Sequence, residues 1–325
     1  MNRFDPAATP RMHLGLKPTR VFKAMLLACV LALLAACSTT RGPVTVSEPT
    51  TPPAPVVMPE VVKRPKLGLA LGGGAARGFA HVGVLQVLEE AGIKPDLVVG
   101  TSAGSFVAAL YASGKTPAQL QRLAETMDEA VFADWTVPLL GRGMLRGEAL
   151  ARFVNGQASA QTNSRQIEEF KLPLGIVATD LNNGQGVLFQ RGDVGTAVRA
   201  SSAVPSVFEP VRINGRDYVD GGLVSPVPVR FAKQMGAEVV LAIDISSAPE
   251  SANTNDMFQI LMQTFTIMGK SINSFELRDA EVVVRPALGN VGSAEFSARR
   301  RSIEAGRAAM QQALPRLRAI LRMPS

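Results

Sequence analysis

The stretch Asp96-Leu-Val-Val-Gly-Thr-Ser-Ala-Gly-Ser-Phe-Val-Ala-Ala-Leu-Tyr111 places a serine between two glycines, where an apolar run changes to a helical pattern. Leu97–Val99 predict a short buried strand, and Phe106–Ala112 predict a helix that ends before a glycine. A strand, a sharp G-x-S-x-G turn and a helix are typical of a nucleophile elbow. Ser102 is therefore a candidate nucleophile, and the alternative is an N-cap serine in an ordinary strand-to-helix turn.

Strand and helix signals continue to alternate on both sides of this stretch. A further helix is predicted over Phe79–Ala91, which ends at Gly92. Further strands are predicted at Leu67–Leu71, Leu174–Ala178, Tyr218–Val219, Val239–Ile243 and Val282–Val284. This alternation predicts an α/β fold with a mostly parallel sheet covered on both sides.

A glycine-rich loop, Gly72-Gly-Gly-Ala-Ala-Arg-Gly78, follows the first predicted strand and opens a helix. It does not match the dinucleotide-binding or P-loop fingerprints. Its backbone N–H groups suit an oxyanion hole, and the alternative is a plain turn that starts the helix. Because this loop and the Ser102 turn follow strands of consecutive βα units, we expect both at one edge of the sheet.

A serine nucleophile needs a base, and no histidine follows Ser102 in the chain. His81 shares the packed face of its predicted helix with Leu85 and Leu88, which indicates a core histidine. Two aspartates end predicted strands and are the remaining candidates, Asp180 and Asp220. An aspartate at a strand end is often only a turn or cap residue, so the residues alone leave this choice open.

Three elements together make the chain resemble the patatin-like phospholipases, from about Leu67 to at least Arg230. They are the G-G-G-x-R-G pattern at a helix start, G-x-S-x-G about 25 residues later, and Asp220-Gly-Gly. The segments ARGFAHVGVL, ATDL and RASSAVPSVFEPV are similar to those of bacterial members. Ala75 departs from the pattern, because many members have a third glycine there.

The resemblance implies a three-layer α/β/α fold and a serine lipid acyl hydrolase of phospholipase A or lysophospholipase type. It implies a dyad of Ser102 as nucleophile and Asp220 as base, with an acyl-enzyme intermediate and no cofactor or metal. The implied oxyanion hole is Gly73, Gly74, Ala75, Ala76 and Arg77, and the supporting glycines are Gly100, Gly104, Gly221 and Gly222. The alternatives are a transacylase, or an acyl-binding or scaffold protein of the same fold without turnover.

The N-terminal segment predicts export and lipidation. Arg20 and Lys23 precede thirteen apolar residues, Ala24–Ala36, which end at Cys37. This pattern resembles a bacterial lipoprotein signal in which the cysteine is lipidated, and the alternative is a signal-anchor with a chance cysteine. Ser38, rather than Asp, predicts a protein anchored in the outer membrane and facing the periplasm.

The predicted domains are a signal peptide (1–36), the lipidated Cys37 with a Pro-rich linker (37–66) and an acyl hydrolase domain (67–325). Removing the signal takes five basic residues and one acidic residue, so the net charge falls from +7 to +3. We therefore expect no nucleic-acid partner. Cys29 would be removed with the signal peptide, and His81 would be the only histidine left in the mature protein. We therefore expect no zinc site.

Two later segments bear on substrate. Met257–Phe275 carries apolar residues at helical spacing, and a core or cover helix is favoured over an acyl-chain groove or membrane contact. Arg299-Arg-Arg301 starts a predicted C-terminal amphipathic helix, and a solvated face is favoured over a headgroup site.

Overall fold

The computed structural model of the chain describes residues 64–128, 131, 143–247, 257–289, 291–292 and 295–323. All of the described residues belong to one compact unit, Val62–Ser325. The predicted signal segment, Cys37 and almost all of the linker lie outside the described residues. None of the helices in the described part is long and apolar enough to cross a membrane.

The described strands form one large mixed sheet and one small sheet of two strands. The strands are β1 (Leu67–Leu71), β2 (Leu97–Thr101), β3 (Gly143–Leu145), β4 (Leu174–Asp180), β5 (Gly186–Phe189), β6 (Ser206–Phe208), β7 (Val211–Ile213), β8 (Arg216–Asp220), β9 (Val239–Ile243) and β10 (Val282–Val284). The α-helices are α1 (Ala80–Glu90), α2 (Ala103–Ala112), α3 (Pro117–Thr126), α4 (Glu148–Thr162), α5 (Val194–Ser201), α6 (Val229–Gln234), α7 (Met257–Glu276) and α8 (Arg299–Ile320).

The large sheet has the order β10-β9-β1-β2-β4-β8-β7, with β5 paired to β4. The strands from β10 to β4 run parallel. Every residue of β1, β2, β4 and β9 is buried, as expected for parallel strands with both faces covered. The predicted mostly parallel sheet is therefore confirmed.

Helices cover both faces of this sheet. Leu69 of β1 packs in a cluster with Leu85 of α1 and Met310 of α8. The next residue, Ala70, packs in a second cluster with Phe231 of α6. Because successive side chains of a strand point to opposite faces, the two clusters lie on opposite sides of the sheet. This arrangement confirms the predicted three-layer α/β/α fold.

The other part of the sheet is antiparallel and was not predicted in full. Strands β5, β7 and β8 pair antiparallel with their neighbours. The sequence predicted only part of β8 and neither β5 nor β7. These two strands have four and three residues, and most of those residues are only partly buried, so they lack the long apolar run that marks a central strand.

Two strands meet end to end along one edge of β4. Val177 pairs with both β2 and β5, and Ala178 pairs with both β5 and β8. Strand β5 therefore occupies one edge of β4, while β2 and β8 share the other. Their last residues, Thr101 and Asp220, pair with the consecutive residues Val177 and Ala178. The turn after β2 and the end of β8 are thereby placed side by side.

Two glycines allow α1 and α8 to pack closely. A Cβ atom on Gly83 would collide with the carbonyl oxygen of Ile303, and one on Gly306 would collide with the carbonyl oxygen of Ala80. Each helix thus presents bare backbone to the other. The C-terminal helix is held against the layer of helices beside the central sheet by this contact.

We predict that Gly83→Ala and Gly306→Ala each lower the free energy of unfolding by about 1–3 kcal/mol, because the added methyl group overpacks the interface. Gly156→Ala is the matched control, since the site is an exposed helix interior with nothing near the new methyl group. There we expect a gain of about 0.5–1 kcal/mol. Urea unfolding measures all three, and an unchanged midpoint for both interface variants would contradict the close packing.

Candidate active site

Ser102 occupies a strained turn between β2 and α2. Its backbone angles are φ 52° and ψ −123°, a region that a residue with a side chain rarely adopts. Its hydroxyl does not cap α2, although Ser102 is the N-cap residue by position. The alternative interpretation of Ser102 as a side-chain cap therefore does not hold. The hydroxyl is left at the start of a helix, half-buried and available for chemistry.

The two glycines of G-x-S-x-G are required by crowding at this turn. A Cβ on Gly100 would collide with the backbone of Gly104, and one on Gly104 would collide with the carbonyl oxygen of Leu71. Strand β2, helix α2 and the end of β1 therefore approach one another through bare backbone. The motif predicted from sequence corresponds to this steric requirement.

Ser201 supports the elbow and was not predicted as a site residue. Its hydroxyl accepts a hydrogen bond of 2.9 Å from the Ser102 amide and donates to the carbonyl oxygen of Val177. Both bonds cross long sequence separations, so no local pattern indicates them. The RASS segment carried the family resemblance, but the residues alone did not assign this role.

Asp220 lies at the end of β8 beside Ser102. Its Oδ1 accepts a hydrogen bond of 2.6 Å from the Gly222 amide, while its buried Oδ2 has no hydrogen-bond partner. Burial raises the pKa of Asp220 to about 6, and the Ser102 hydroxyl and the Gly222 amide offset part of that rise. The Ser102 hydroxyl is therefore near enough to favour the charged form of Asp220. The two side chains do not form a hydrogen bond with each other in this structure.

The glycines after Asp220 fit the same crowded edge. A Cβ on Gly221 would collide with the carbonyl oxygen of Val177. One on Gly222 would come within 2.9 Å of Asp220 Oδ1, in the place where the Gly222 amide reaches that oxygen. The Asp-Gly-Gly turn thus holds Oδ1 of Asp220 by a hydrogen bond and leaves Oδ2 without one.

The glycine-rich loop places free amides at the same edge, but fewer than the sequence predicted. The Gly73 amide donates to the carbonyl oxygen of Pro226, and the Arg77 amide donates to that of Gly74. Within the described part, no hydrogen bond engages the amides of Gly74, Ala75 and Ala76. The loop as it stands therefore offers these three amides, and the main-chain donors at Gly73 and Arg77 are occupied.

Arg77 and Ala75 shape this loop in different ways. The buried Arg77 guanidinium donates to the carbonyl oxygen of Ser246 at 2.9 Å, which ties the loop to the segment after β9. Ala75 has φ 48°, in the left-handed region that favours glycine. A glycine at this position would relieve the strain, so the departure from the glycine pattern noted in the sequence has a conformational cost.

The other two candidate bases are engaged elsewhere. His81 is fully buried, and its Nε2 contacts the carbonyl oxygen of Gly72 at 2.8 Å, so it acts as the donor there. Burial lowers the pKa of His81 to about 4, with a partial offset from that hydrogen bond, so the ring is neutral at pH 7. Asp180 is paired with Arg216 and accepts a hydrogen bond from the Asn182 amide.

Two cavities meet at Ser102. One, the apolar cavity, has a volume of about 340 Å³ and lies between the elbow and helices α2, α3 and α4. The other, the outer cavity, has a volume of about 620 Å³ and lies between the elbow, the glycine-rich loop and α7. Their shared lining residues are Ala75, Ser102, Val204, Val207 and Phe208. Ser102 therefore stands at the junction of two separate spaces.

Helix α7 covers the outer cavity. Met262 and Phe265 line that cavity, while Met257, Ile260 and Phe275 are more than half exposed. The favoured prediction of a cover helix agrees with this placement, whereas its alternatives of acyl groove and membrane contact stay untested. Arg301 at the start of α8 forms a half-exposed ion pair with Glu295, as a solvated face would. Arg299 differs, because it is only partly exposed and its guanidinium donates to the carbonyl oxygen of Met127.

A family model described as patatin-like phospholipase matches residues 69–233. The chain belongs to the patatin-like phospholipase family. It is 33% identical over 185 residues to an uncharacterised NTE family protein of Mycobacterium bovis, covering 57% of this chain and 50% of that protein. It is 35% identical over 193 residues to human patatin-like phospholipase domain-containing protein 6, covering 57% of this chain and 14% of that protein.

The chain thus spans half the length of the mycobacterial relative and a small part of the human one. The crystal structure of VipD from Legionella pneumophila has the same fold, with a TM-score of 0.56 and 16% identity over 78% of this chain and 67% of VipD. The residues matched by the family model include both the Ser102 turn and Asp220. A domain of the patatin-like phospholipase family is therefore present in the chain.

We predict that Asp220→Asn stabilises the protein at pH 8, because it removes a buried charge. Each tenfold change in proton affinity corresponds to about 1.4 kcal/mol, so raising the pKa from 3.8 to about 6 corresponds to roughly 3 kcal/mol at most. Wild-type stability from this group is present below pH 3.8 and is lost as pH rises through 6. The advantage of the variant should therefore appear between these pH values and stay constant above.

Urea unfolding at pH 4, 6 and 8 measures this difference. Glu304→Gln, at an exposed position of α8, serves as the control and should change stability little across the series. Equal stability of wild type and Asp220→Asn across the series would show that burial does not raise the pKa of this carboxyl.

Proposed function

We propose that this chain is a serine lipid acyl hydrolase, of phospholipase A or lysophospholipase type, in which Ser102 and Asp220 form the catalytic dyad. One observation carries the proposal: a strained, uncapped serine lies beside a buried carboxylate that has one oxygen without a partner. Membership of the patatin-like phospholipase family supports a lipid ester as substrate.

In the first half of the proposed reaction, Ser102 Oγ bonds to the ester carbonyl carbon while its proton passes to Asp220 Oδ2. The bond from that carbon to the leaving alcohol then breaks, and the proton on Asp220 moves to the leaving oxygen. Water repeats the sequence on the acyl-enzyme, gives a proton to Asp220, and releases the acid as Ser102 regains its proton. A carboxylate is a weak base for this step, and the raised pKa makes it a stronger one.

The oxyanion is proposed to bind the free amides of the glycine-rich loop. Gly74 and Ala75 line the outer cavity with Ser102, and both amides are unengaged. The N-terminus of α2 adds a positive electrostatic potential at the same place. These donors are fixed by the Arg77 contact with Ser246, so they need no rearrangement when negative charge develops.

We predict that Ser102→Ala abolishes hydrolysis, because the proposed acyl intermediate forms on the Ser102 hydroxyl. Asp220→Asn keeps the shape of the side chain but removes the proton acceptor, so kcat should fall by about 10²–10⁴. His81→Ala should keep kcat within about tenfold in the folded fraction, because its ring serves the Gly72 carbonyl and not the nucleophile. The assay is kcat on para-nitrophenyl butyrate at pH 8, normalised to folded protein.

The opposite ranking would overturn the dyad: His81→Ala as inactive as Ser102→Ala, with Asp220→Asn unaffected. For wild type, kcat/KM should rise with pH through about 6, as the Asp220 carboxyl loses its proton. A fluorophosphonate probe should label wild type and leave Ser102→Ala unlabelled. Absence of labelling in folded wild type would favour an acyl-binding or scaffold protein, and acyl transfer to an added alcohol in preference to water would favour a transacylase.

We also propose that the protein is a lipoprotein anchored through Cys37 in the outer membrane and facing the periplasm. The support is the basic segment, the thirteen apolar residues and the Leu-Ala-Ala-Cys ending of residues 34–37. Lipid attachment would hold the hydrolase domain close to its proposed phospholipid substrate.

We predict that Cys37→Ser yields a precursor that is neither acylated nor cleaved as a lipoprotein. Globomycin, which blocks lipoprotein signal cleavage after lipid transfer, should cause an uncleaved but acylated precursor of wild type to accumulate. Membrane fractionation and gel mobility measure both effects, with Cys29→Ser as the control, which should mature normally. Normal maturation and membrane partition of Cys37→Ser would refute the anchor.

A further inference from the structure

The apolar cavity differs from the outer cavity in having no charged side chain among its described lining residues. Apart from the hydroxyls of Ser102 and Ser202, every described side chain that lines it is apolar. Its wall follows α2 from the elbow to Leu110, eight residues along the helix, which is about 12 Å at the usual rise per residue. Leu120 and Ala124 of α3 line it as well. The space is thus an extended apolar pocket that begins at the nucleophile.

The outer cavity contains the charged groups. Most of the described residues that line it are apolar as well, but Asp220 and Lys270 carry charge there, and Ser246, Ser247 and Thr266 add hydroxyls. A phosphate or glycerol group could find polar partners there, whereas burying it among the leucines of the apolar cavity would cost several kcal/mol. A hydrocarbon chain has the opposite preference, because each buried methylene contributes about 0.8 kcal/mol.

The position of Asp220 fixes which half of the ester enters which cavity. In the proposed reaction this carboxyl returns its proton to the leaving oxygen, so the leaving alcohol must lie on its side of Ser102. Asp220 lines the outer cavity and is absent from the described lining of the apolar cavity. The acyl chain, on the other side of the carbonyl carbon, is then directed toward α2 and α3.

We infer that the apolar cavity is the acyl-chain subsite and that Ala124 and Val107 in its wall limit the length of chain accepted, an inference that rests on the proposed function. The outer cavity then receives the alcohol side of the lipid. The orientation of the substrate then follows from the position of Asp220 relative to Ser102. It needs no contact with the far end of the acyl chain.

The test compares two esters with one leaving group, para-nitrophenyl butyrate and para-nitrophenyl palmitate. Ala124→Leu fills part of the buried pocket and should lower the palmitate-to-butyrate ratio of kcat/KM by about tenfold or more, as expected for a few methylenes in an apolar site. Val107→Phe, in the part of the wall formed by α2, should shift the ratio in the same direction. Retained butyrate hydrolysis shows that the variants fold.

Two controls accompany these variants. Ala118→Leu makes the same chemical change on the exposed face of α3 and should leave both rates as in wild type. Thr266→Leu adds bulk to the outer cavity and should leave the ratio of the two esters unchanged. A shifted ratio in Thr266→Leu together with an unshifted ratio in Ala124→Leu and Val107→Phe would place the chain in the outer cavity and overturn the inference.

A binding measurement separates this inference from the proposed function. Fluorescence of cis-parinaric acid, a free fatty acid that undergoes no hydrolysis, should report binding to Ser102→Ala protein. Adding Ala124→Leu should weaken that binding about tenfold, while adding Ala118→Leu should not. If neither ester is hydrolysed but the fatty acid binds in this pattern, the catalytic proposal fails and the subsite stands. Absent binding, or binding unaffected by Ala124→Leu, overturns the subsite.

Discussion

The close approach of an uncapped serine hydroxyl and a buried carboxylate is the feature that the surrounding structure serves. Neither group is in a relaxed state: Ser102 has a strained backbone, and Asp220 is held where its charged form is disfavoured. Such an arrangement persists only when its neighbours leave no alternative. Here the neighbours are two strands that end head to head on one edge of β4, at Val177 and Ala178. The pairing of parallel β2 and antiparallel β8 with the same strand thus determines the distance between the two groups.

The same constraint explains why glycines are concentrated at this edge. Gly100, Gly104 and Gly221 each lie where a Cβ would meet backbone atoms, and Gly73 lies where one would come within 3.1 Å of the Ser102 Cβ. Backbone can approach backbone only where side chains are missing, so the strands and the helix can converge on the nucleophile. The glycines in the motifs that identify the family are therefore required by steric contacts as much as by the chemistry of the site.

Sequence reasoning reached the parallel half of the sheet because each of its strands is an apolar run with both faces covered. It did not reach β5 and β7, whose pairing depends on the turns and on distant partners. It left Asp180 and Asp220 equivalent as strand-end acids, and the family resemblance made the choice. The structure supplies a physical difference: Asp180 is paired with Arg216, whereas Asp220 keeps an oxygen without a partner.

The glycine-rich loop illustrates a second limit of sequence reasoning. All its amides looked equally available as oxyanion donors, because a pattern of glycines does not show where backbone hydrogen bonds go. The Gly73 amide is engaged by Pro226, a residue more than 150 positions away along the chain. Long-range backbone bonds of this kind follow from the tertiary fold, and no local pattern encodes them.

Pro226 belongs to a short segment, Ser225–Val227, that contacts three parts of the site. The Ser225 carbonyl oxygen accepts from Thr101 in the elbow, and its hydroxyl contacts Glu276 of α7 at 2.7 Å. The carbonyl oxygen of Pro226 holds the glycine-rich loop, and the Val227 amide donates to Asn273 of α7. The nucleophile turn, the glycine-rich loop and the cover helix α7 therefore all contact this one segment, which fixes their positions relative to one another. Because Ser225 follows Asp220 by only five residues, the same segment also helps to position the base.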